Sequence, residues 1–418
     1  MLKIEKLIPG GQALSKLENG KKIFLWNALP GEIVTDYEIT KNKSSYLEGI
    51  ATKIENPSPF RIKPRDDCFL STSPWQILDY QYELVEKQQL IVEIFREHQI
   101  AIEKPEIITD GKDYFYRNKM EYSLYWDNQT KKIELAFHRR GSHQKIPIQS
   151  SSIERPELFE KAKAIVTELN ENHKEARDYQ SLLLRCNQKG EISGGLYENH
   201  KPHPTFPNLK DNILDHQYSY SPNGFFQINL PVYELALKEI KKHITTDKVL
   251  DLYAGVGTIG LSVAHDKQLT LVEVDKFAYE ELAKNITIED ITEPGKASIS
   301  AGRPWRRAGR TRVLNGNILA TKPKSRFPRA FLSKSEDVLD YIEPDQTVIL
   351  DPPRAGCDQK LINKLNQIRP KTIIYLSCNP TTQARDVKLL LEKYKIKTIK
   401  TFNFFPHTPH IENLVVLC

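Results

Sequence analysis

A cysteine that directly follows an apolar segment is the first candidate for chemistry in this sequence. Cys378 comes after TIIYLS and lies in a polar turn, SCNPTTQARD, which ends with Arg385 and Asp386. A thiol near a helix N-terminus or near cations ionises more easily, and the thiolate is the nucleophilic form. The alternative is a buried, inert cysteine, as most unpaired cysteines are. The residues of this turn leave both interpretations open.

A carboxylate near the end of the chain could serve as a base. The segment FFPHTPHIE contains His407, His410 and Glu412 between prolines and apolar residues. A carboxylate in such surroundings can have a raised pKa and can accept a proton from a substrate. The two histidines could suggest a metal ion, but no cysteine or third ligand accompanies them. We therefore predict structural histidines and no metal site.

A glycine-rich turn indicates a nucleotide-like cofactor. In DLYAGVGTIG, Gly255 and Gly257 let the backbone turn tightly and approach a ligand before a helix begins. Glu273 ends the next predicted strand, about 20 residues further on, where a carboxylate can accept hydrogen bonds from ribose hydroxyls. The pattern favours a cofactor that contains adenosine. The alternative is a structural turn with a solvated glutamate.

A second strand ends in an aspartate followed by two prolines. In VILDPPRAG the prolines after Asp351 fix φ and offer no N–H group, so the strand end is rigid and non-helical. Such an edge can present Asp351 to a planar base beside the cofactor. A proline-rich turn capped by aspartate explains the same residues equally well.

These residues need a scaffold that brings strand ends together. From about residue 216 the sequence alternates between apolar strands and helical segments, which predicts a doubly wound, mostly parallel sheet with ligands at its carboxyl edge. Residues 1–60 contain short alternating strands typical of a small β-barrel, and PSPFRIKPRDD reads as a linker. Residues 61–215 combine helical and strand-like spacing. We predict an α/β protein with three domains, 1–60, 61–215 and 216–418.

Composition narrows the class of protein. The 418 residues include 60 Lys and Arg against 54 Asp and Glu, and the formal charge of +6 suits a polyanionic partner without demonstrating one. The five cysteines are scattered and odd in number, which argues against disulfides or zinc and favours the cytoplasm. No signal peptide or long apolar segment is evident, so we expect a soluble protein that does not enter a membrane.

Together these segments resemble the RNA uracil-C5 methyltransferase family, in particular the branch with an N-terminal TRAM domain that modifies 23S ribosomal RNA. The resemblance spans nearly the whole chain. The segments that carry it are ALPGE, PSPFRI, YRNKMEYS, FHRRGSH, SPNGFFQIN, DLYAGVGTIG, LVEVD, LDPPRAG, LSCNPTTQARD and FPHTPHIE. It implies an OB-like barrel, a mixed α/β middle domain that binds RNA, and a Rossmann-like methyltransferase domain.

The resemblance also implies roles for individual residues. Cys378 matches the nucleophile that attacks C6 of uracil, and Glu412 matches the base that removes the C5 proton. The positions that match contacts with S-adenosylmethionine or the target base are Gln227, Tyr253, Glu273, Asn317 and Asp351, and the glycine-rich turn adds Gly255 as a cofactor contact. The implied partner is RNA, with 23S rRNA favoured and tRNA as the alternative, and the implied state is a monomer. An inactive RNA-binding scaffold is a further alternative, but it would have no chemical need for Cys378 and Glu412.

Two segments depart from the family pattern. Many relatives hold a [4Fe–4S] cluster on four cysteines, whereas this chain keeps only Cys68 and has serines at 150–152, so we expect no iron–sulfur cluster. The insertion at 294–312 is rich in arginine and also contains Trp305. We predict that it is either an arm that contacts RNA phosphates or a solvated loop. Its arginines are Arg303, Arg306, Arg307, Arg310 and Arg312.

Overall fold

The computed structural model describes residues 1–289 and 328–418, and its contacts divide the chain into two compact units. The first unit comprises Met1–Pro207 and Lys400–Glu412, and the second comprises Asn208–Ile399 and Asn413–Cys418. Asn317 and the arginine-rich insertion lie outside the described residues. The three-domain division made from the sequence is not decided by these units and stays a prediction.

The first unit begins with a six-stranded sheet in the order β1-β5-β6-β4-β3-β2. Alternate residues of its strands are buried, among them Ile23, Leu25 and Val34, as the alternating sequence predicts. The strand-rich, barrel-like N-terminal part of the prediction is therefore confirmed. The strands are β1 (Leu2–Lys3), β2 (Lys6–Leu7), β3 (Ala13–Lys16), β4 (Lys22–Trp26), β5 (Ile33–Asn42) and β6 (Tyr46–Glu55).

The rest of the first unit is mixed α/β. A five-stranded antiparallel sheet in the order β10-β9-β8-β11-β12 shares an apolar core with the helix that contains Leu158, Phe159 and Ala162. The helices are α1 (Phe69–Thr72), α2 (Tyr80–Glu97) and α3 (Pro156–Glu171), with a 3-10 turn at Ala176–Asp178. The strands are β7 (Glu106–Ile108), β8 (Lys119–Asp127), β9 (Lys132–His138), β10 (Lys145–Pro147), β11 (Tyr179–Cys186) and β12 (Ile192–Glu198).

The second unit opens with the hairpin β13 (Leu209–Ile213) and β14 (His216–Tyr220), after which helices and parallel strands alternate. The helices are α4 (Leu230–Lys241), α5 (Thr258–Ala264), α6 (Lys276–Glu289), α7 (Gln359–Ile368) and α8 (Pro380–Leu390), with 3-10 turns at Ser335–Asp337 and Leu339–Tyr341. The strands are β15 (Lys248–Leu252), β16 (Gln268–Glu273), β17 (Arg329–Leu332), β18 (Gln346–Leu350), β19 (Thr372–Ser377), β20 (Ile396–Phe402) and β21 (Glu412–Leu417).

The central sheet of the second unit has the order β17-β16-β15-β18-β19-β21-β20. Strands β15 to β19 pair in parallel, and β21 runs antiparallel to β19. Every residue of β18, β19 and β21 is buried, which explains why their apolar residues are consecutive, as VIL, IIYL and LVVL, rather than alternating. The predicted α/β class and doubly wound sheet are confirmed. The strand order reverses direction at β15, where such sheets bind ligands at their carboxyl ends.

Strand β20 passes from one unit to the other along the chain. Its last residues, Lys400–Phe402, pair in parallel with β7 in the first unit. The segment that follows, up to Glu412, therefore belongs to the first unit. Among the residues that the structure describes, no helix has the length and apolar character needed to cross a membrane.

Candidate active site

Four of the predicted site residues lie at the carboxyl edge of the parallel sheet. Glu273 ends β16, while Tyr253, Asp351 and Cys378 directly follow β15, β18 and β19. Because these strands are parallel neighbours, their carboxyl ends meet at one edge of the sheet. The fold therefore brings to one edge the residues that the sequence singled out separately.

The turn after β15 is shaped by residues in the left-handed region. Tyr253, Gly255 and Gly257 have φ values of 64°, 57° and 90°. A Cβ on Gly257 would lie 2.4 Å from Leu282 Cδ1, so only glycine lets the turn pack against α6. A Cβ on Gly255 would meet nothing within 4 Å. The turn is therefore closed towards the core at Gly257 and open at Gly255, where a ligand can approach the backbone.

Glu273 is fixed against this turn by backbone hydrogen bonds. Its Oε2 accepts from the N–H of Gly255 at 2.8 Å, and its Oε1 accepts from the N–H of Asp275 at 2.6 Å. The side chain is buried. Each carboxylate oxygen can accept more than one hydrogen bond, so both retain capacity for ligand hydroxyls. An oriented carboxylate beside an open glycine turn fits the ribose of an adenosine cofactor.

A second buried acid in this turn was missed by the sequence analysis. Asp251 lies within β15, and its Oδ2 accepts a hydrogen bond from the N–H of Gly260 at 2.9 Å, which ties the strand to α5. Burial, with smaller contributions from the carboxylates of Asp351 and Glu273, raises the pKa of Asp251 to about 8 against the opposing effect of the hydrogen bond from Gly260. The signal was an aspartate inside the otherwise apolar strand KVLDL.

Asp351 has surroundings that favour its protonated form. It is half-buried, and among the described residues none donates a hydrogen bond to its carboxylate. Burial raises the pKa of Asp351 to about 7. Burial thus favours the protonated form of Asp351, which can donate a hydrogen bond.

The loop after Asp351 and the loop that carries Cys378 are joined by hydrogen bonds. The carbonyl oxygen of Arg354 accepts from Asn379 Nδ2 at 2.8 Å and from Thr382 Oγ1 at 3.1 Å. Because one carbonyl group takes both donors, the two loops hold each other in place. Asp351 and Cys378 thus lie on one connected block of backbone.

Asp386 reinforces this block from within α8. Its carboxylate accepts from the N–H of Cys357 at 2.8 Å, from the hydroxyl of Tyr375 at 2.8 Å and from the guanidinium of Arg385 at 2.7 Å. A Cβ on Gly356 would lie 2.6 Å from Asp386 Oδ2, so the loop needs glycine there. Arg385 and Asp386, which the sequence suggested only as polar neighbours of Cys378, form a structural ion pair in which Asp386 is buried and Arg385 is exposed.

Cys378 differs from the other cysteines in its surroundings. None of the five cysteines, all of which lie in described parts of the chain, forms a disulfide. Cys68, Cys186 and Cys357 are buried, and burial raises the pKa of Cys68 to about 12. Cys378 is half-buried and precedes Asn379, whose Oδ1 caps α8 by accepting from the N–H of Thr381 at 3.2 Å. The positive end of a helix dipole favours a thiolate at this position.

Glu412 is the first residue of β21 and is buried. The next residue, Asn413, pairs with Ser377, which in turn precedes Cys378. Gln383 fixes this end of β21, because its Nε2 donates to the carbonyl oxygen of Asn413 at 3.0 Å and its Oε1 accepts from Asn413 Nδ2 at 2.7 Å. Glu412 and Cys378 therefore each adjoin one residue of the same cross-strand pair.

Two other predicted residues complete the set. Gln227 is buried just before α4, and its neighbour Phe226 stacks on Tyr220 with ring centroids 3.8 Å apart. Asn317 lies outside the described residues.

The residues around Cys68 and the serines at 150–152 do not fit an iron–sulfur cluster. Asp66 accepts hydrogen bonds there from Ser152 Oγ at 2.7 Å and from Gln76 Nε2 at 2.8 Å, and Cys68 Sγ donates to the carbonyl oxygen of Ser150 at 3.7 Å. Within residues 1–289 and 328–418, no group of three or more His, Cys, Asp or Glu side chains could hold a metal ion. Hydrogen bonds to Asp66 organise this region, and the absence of a cluster from the purified protein stays a prediction.

Comparisons with known proteins agree with this geometry. Residues 323–418 match the family model described as tRNA (Uracil-5-)-methyltransferase. An uncharacterised RNA methyltransferase of Bacillus cereus is 26% identical over 94% of this chain and 91% of that protein. One from Nanoarchaeum equitans is 28% identical over 95% of this chain and 89% of its own length.

A solved structure shares the fold over the full chain. The Pyrococcus abyssi tRNA (uracil-54, C5)-methyltransferase, solved in complex with S-adenosyl-L-homocysteine, superposes with a TM-score of 0.73. The two sequences are 22% identical, and the match covers 100% of both chains. The family match and the relatives carry the assignment, and the shared fold is consistent with it: the chain resembles the uracil-5 methyltransferases over residues 323–418 and is an S-adenosylmethionine-dependent RNA methyltransferase.

Proposed function

We propose that this chain methylates C5 of a specific uridine in RNA through a covalent intermediate between Cys378 and C6 of the base. The observation that carries the proposal is the position of Cys378. This half-buried thiol lies at the N-terminal end of α8 and is fixed to the Asp351 loop through Asn379. It shares the carboxyl edge of the sheet with Glu273.

The cofactor is assigned to the open side of the glycine turn. Glu273 would accept hydrogen bonds from the ribose hydroxyls, and the backbone at Gly255 would allow close approach. When bound, S-adenosylmethionine supplies an electrophilic methyl group. The further residues assigned to the cofactor or the target base are Gln227, Tyr253, Asn317 and Asp351.

Cys378 makes the target carbon reactive. Uracil C5 is a poor nucleophile, but a bond from the Cys378 thiolate to C6 moves the electrons of the C5–C6 double bond into an enolate. C5 then carries the electron density needed to take up a methyl group. The target base must leave its stack before the thiolate can reach C6, because a stacked base is inaccessible.

Glu412 completes the cycle. Methylation leaves C5 tetrahedral and still bonded to its original hydrogen. The Glu412 carboxylate takes that proton, the electrons of the C–H bond re-form the enolate, and the C5–C6 double bond returns as the Cys378 thiolate is expelled. The assignment is supported by the chain itself, since Glu412 and Cys378 flank the paired residues Asn413 and Ser377.

The favoured substrate is 23S rRNA, with tRNA as the alternative. The N-terminal barrel-like sheet favours the ribosomal branch, whereas the Pyrococcus abyssi protein is described as acting on tRNA. The test is mass-spectrometric mapping of 5-methyluridine in rRNA and tRNA from cells with and without the gene. We expect one uridine in 23S rRNA to lose its methyl group. Loss confined to tRNA would favour the alternative, and no loss in either RNA would contradict the function.

Replacing Glu273 with glutamine tests the cofactor assignment. Glutamine keeps one oxygen acceptor but loses the charge, and charge-assisted hydrogen bonds contribute roughly 1.5–3 kcal/mol each. We expect the affinity for S-adenosyl-L-homocysteine, measured by calorimetry, to fall about 10-fold or more. The matched control is Asp275→Asn, because Asp275 is exposed and caps the next helix through the N–H of Ala278. Equal affinities in both variants would remove Glu273 from the cofactor site.

The setting proposed for this activity is the cytoplasm, with the chain acting as a monomer. The five cysteines without a disulfide suit a reducing compartment. The formal charge of +6 suits an RNA partner.

A further inference from the structure

Helix α2 buries an ion pair that the proposed reaction does not use. The carboxylate of Glu83 and the ammonium of Lys87 are 2.7 Å apart, and both side chains are fully buried. Taking two charges out of water is costly and is repaid only where further hydrogen bonds satisfy both groups. The partners of this pair therefore indicate what it is for.

Those partners lie in one segment near the end of the chain. Lys87 Nζ donates to Asn403 Oδ1 at 2.6 Å and to the carbonyl oxygen of Phe405 at 3.1 Å. Glu83 Oε2 accepts from the N–H of His407 at 2.9 Å. The segment 403–412, here called the anchored segment, is thus tied to both charges of α2.

Other side chains of the same unit fix the middle of the anchored segment. The hydroxyl of Tyr116 donates to the carbonyl oxygen of Pro406 at 3.0 Å. The backbone N–H of Trp75 donates to the carbonyl oxygen of His407 at 3.0 Å. His407 is fully buried at a φ of 58°, with Nε2 3.2 Å from Asp113 Oδ2. A left-handed histidine persists only where its surroundings determine the backbone conformation.

We propose that the Glu83–Lys87 pair is a positioning device for Glu412. The anchored segment ends at Glu412, five positions after His407. This inference rests on the proposed function, in which Glu412 removes the C5 proton. A base must lie within hydrogen-bonding reach of its proton, and a displacement of about 1 Å can cost about 100-fold in rate. Glu83 and Lys87 act through the backbone of this segment and touch no reacting atom.

The proposal separates two steps of the cycle. Methyl transfer needs Cys378 and the cofactor, whereas release of the methylated RNA needs Glu412. Loosening the anchored segment should therefore slow release and leave methyl transfer intact. A general loss of stability would instead lower the rates of both steps together, because it reduces the fraction of folded enzyme.

The experiment measures both steps in single turnover for the full-length Lys87→Met variant and for the double variant E83Q/K87M. Methionine keeps the length of the side chain but offers no donor to Asn403 or Phe405. Methyl transfer is followed with labelled S-adenosylmethionine, and the methylated RNA–protein adduct is followed on denaturing gels. We expect adduct decay to slow about 10-fold or more, with methyl transfer within about twofold of wild type.

The matched control is Glu32→Gln. Glu32 is also a fully buried carboxylate of the first unit, paired with Arg61 at 2.6 Å and bonded to the N–H of Leu29 at 2.8 Å. None of its hydrogen bonds goes to the anchored segment. We expect this variant to lower the melting temperature but to leave adduct decay unchanged. If Lys87→Met does not fold, Tyr116→Phe removes one hydrogen bond to Pro406 and should slow decay in the same direction.

The outcomes separate this inference from the proposed function. Normal adduct decay in folded Lys87→Met, alongside slow decay in Glu412→Gln, overturns the positioning role and leaves the function standing. Equal slowing of both steps, as in an unstable enzyme, also overturns it. If Glu412→Gln itself decays normally, the base assignment fails, and the inference fails with it.

Discussion

Replacing Cys378 with alanine is expected to abolish turnover while leaving the affinity for S-adenosyl-L-homocysteine within a few-fold of wild type. The thiol acts on the uracil ring and not on the cofactor, so only the chemical step should lose its driving group. Removing a covalent nucleophile costs other enzymes on the order of 10⁴-fold or more in rate. The measurements are methyl incorporation into RNA and calorimetric titration with the cofactor product.

The control for this prediction is Cys418→Ala. Cys418 is the one exposed cysteine among the five, and it lies at the end of the described chain. It is the thiol that a nonspecific reagent would reach most easily. A Cys378→Ala enzyme that keeps more than about 1% of the wild-type rate would exclude Cys378 as the nucleophile, since a covalent mechanism leaves no such residual activity. If Cys418→Ala lost activity and Cys378→Ala did not, the assignment of Cys378 as the nucleophile would be wrong.

The edge of the sheet could be predicted because its signals are local. Strands such as VIL before Asp351 and YLS before Cys378 are short apolar runs ended by proline or polar turns, and each places its residue at a strand end. Once the strands are parallel, these ends must share an edge. The candidate residues were therefore accessible from sequence, although their roles remain proposals.

The supporting contacts could not be predicted in the same way. Glu83 and Lys87 lie four residues apart on the same face of α2 as the buried residues Leu90 and Ile94. The helical period of the sequence therefore indicates that both side chains face the core. Their partner Asn403 lies 316 positions after Lys87, and no local pattern links residues so far apart. The same holds for Asp386, which accepts a hydrogen bond from the N–H of Cys357, 29 positions earlier in the chain. Tertiary packing alone assigns such partners.

The Glu412 carboxylate depends on long-range contacts for its position. Its neighbours FFPHTPHI carry no motif that explains how a carboxylate is held still, and the sequence suggested only structural histidines there. Lys87 donates to the carbonyl oxygen of Phe405 and Glu83 accepts from the N–H of His407, and these two hydrogen bonds to the preceding backbone supply that explanation. The Glu412→Gln variant, which tests the base, is therefore also the reference for every variant that loosens the anchored segment.

Replacing Glu412 with glutamine is expected to permit methyl transfer and to block release of the product. Glutamine matches the carboxylate in shape but cannot take the C5 proton, and loss of a general base costs about 10²–10⁴-fold in rate. Without proton removal the bond between Cys378 and C6 cannot break. A methylated RNA–protein adduct should therefore accumulate in stoichiometric amounts with the enzyme.

The measurement uses end-labelled RNA together with S-adenosylmethionine labelled in its methyl group. On a denaturing gel, Glu412→Gln should give a slow band that carries both labels, because methylation precedes the blocked step. The double variant C378A/E412Q should give no such band, since the adduct requires the thiolate. A single variant with normal turnover and no slow band would show that another group removes the proton. A slow band without the methyl label would place the block before methyl transfer and assign Glu412 to that earlier step.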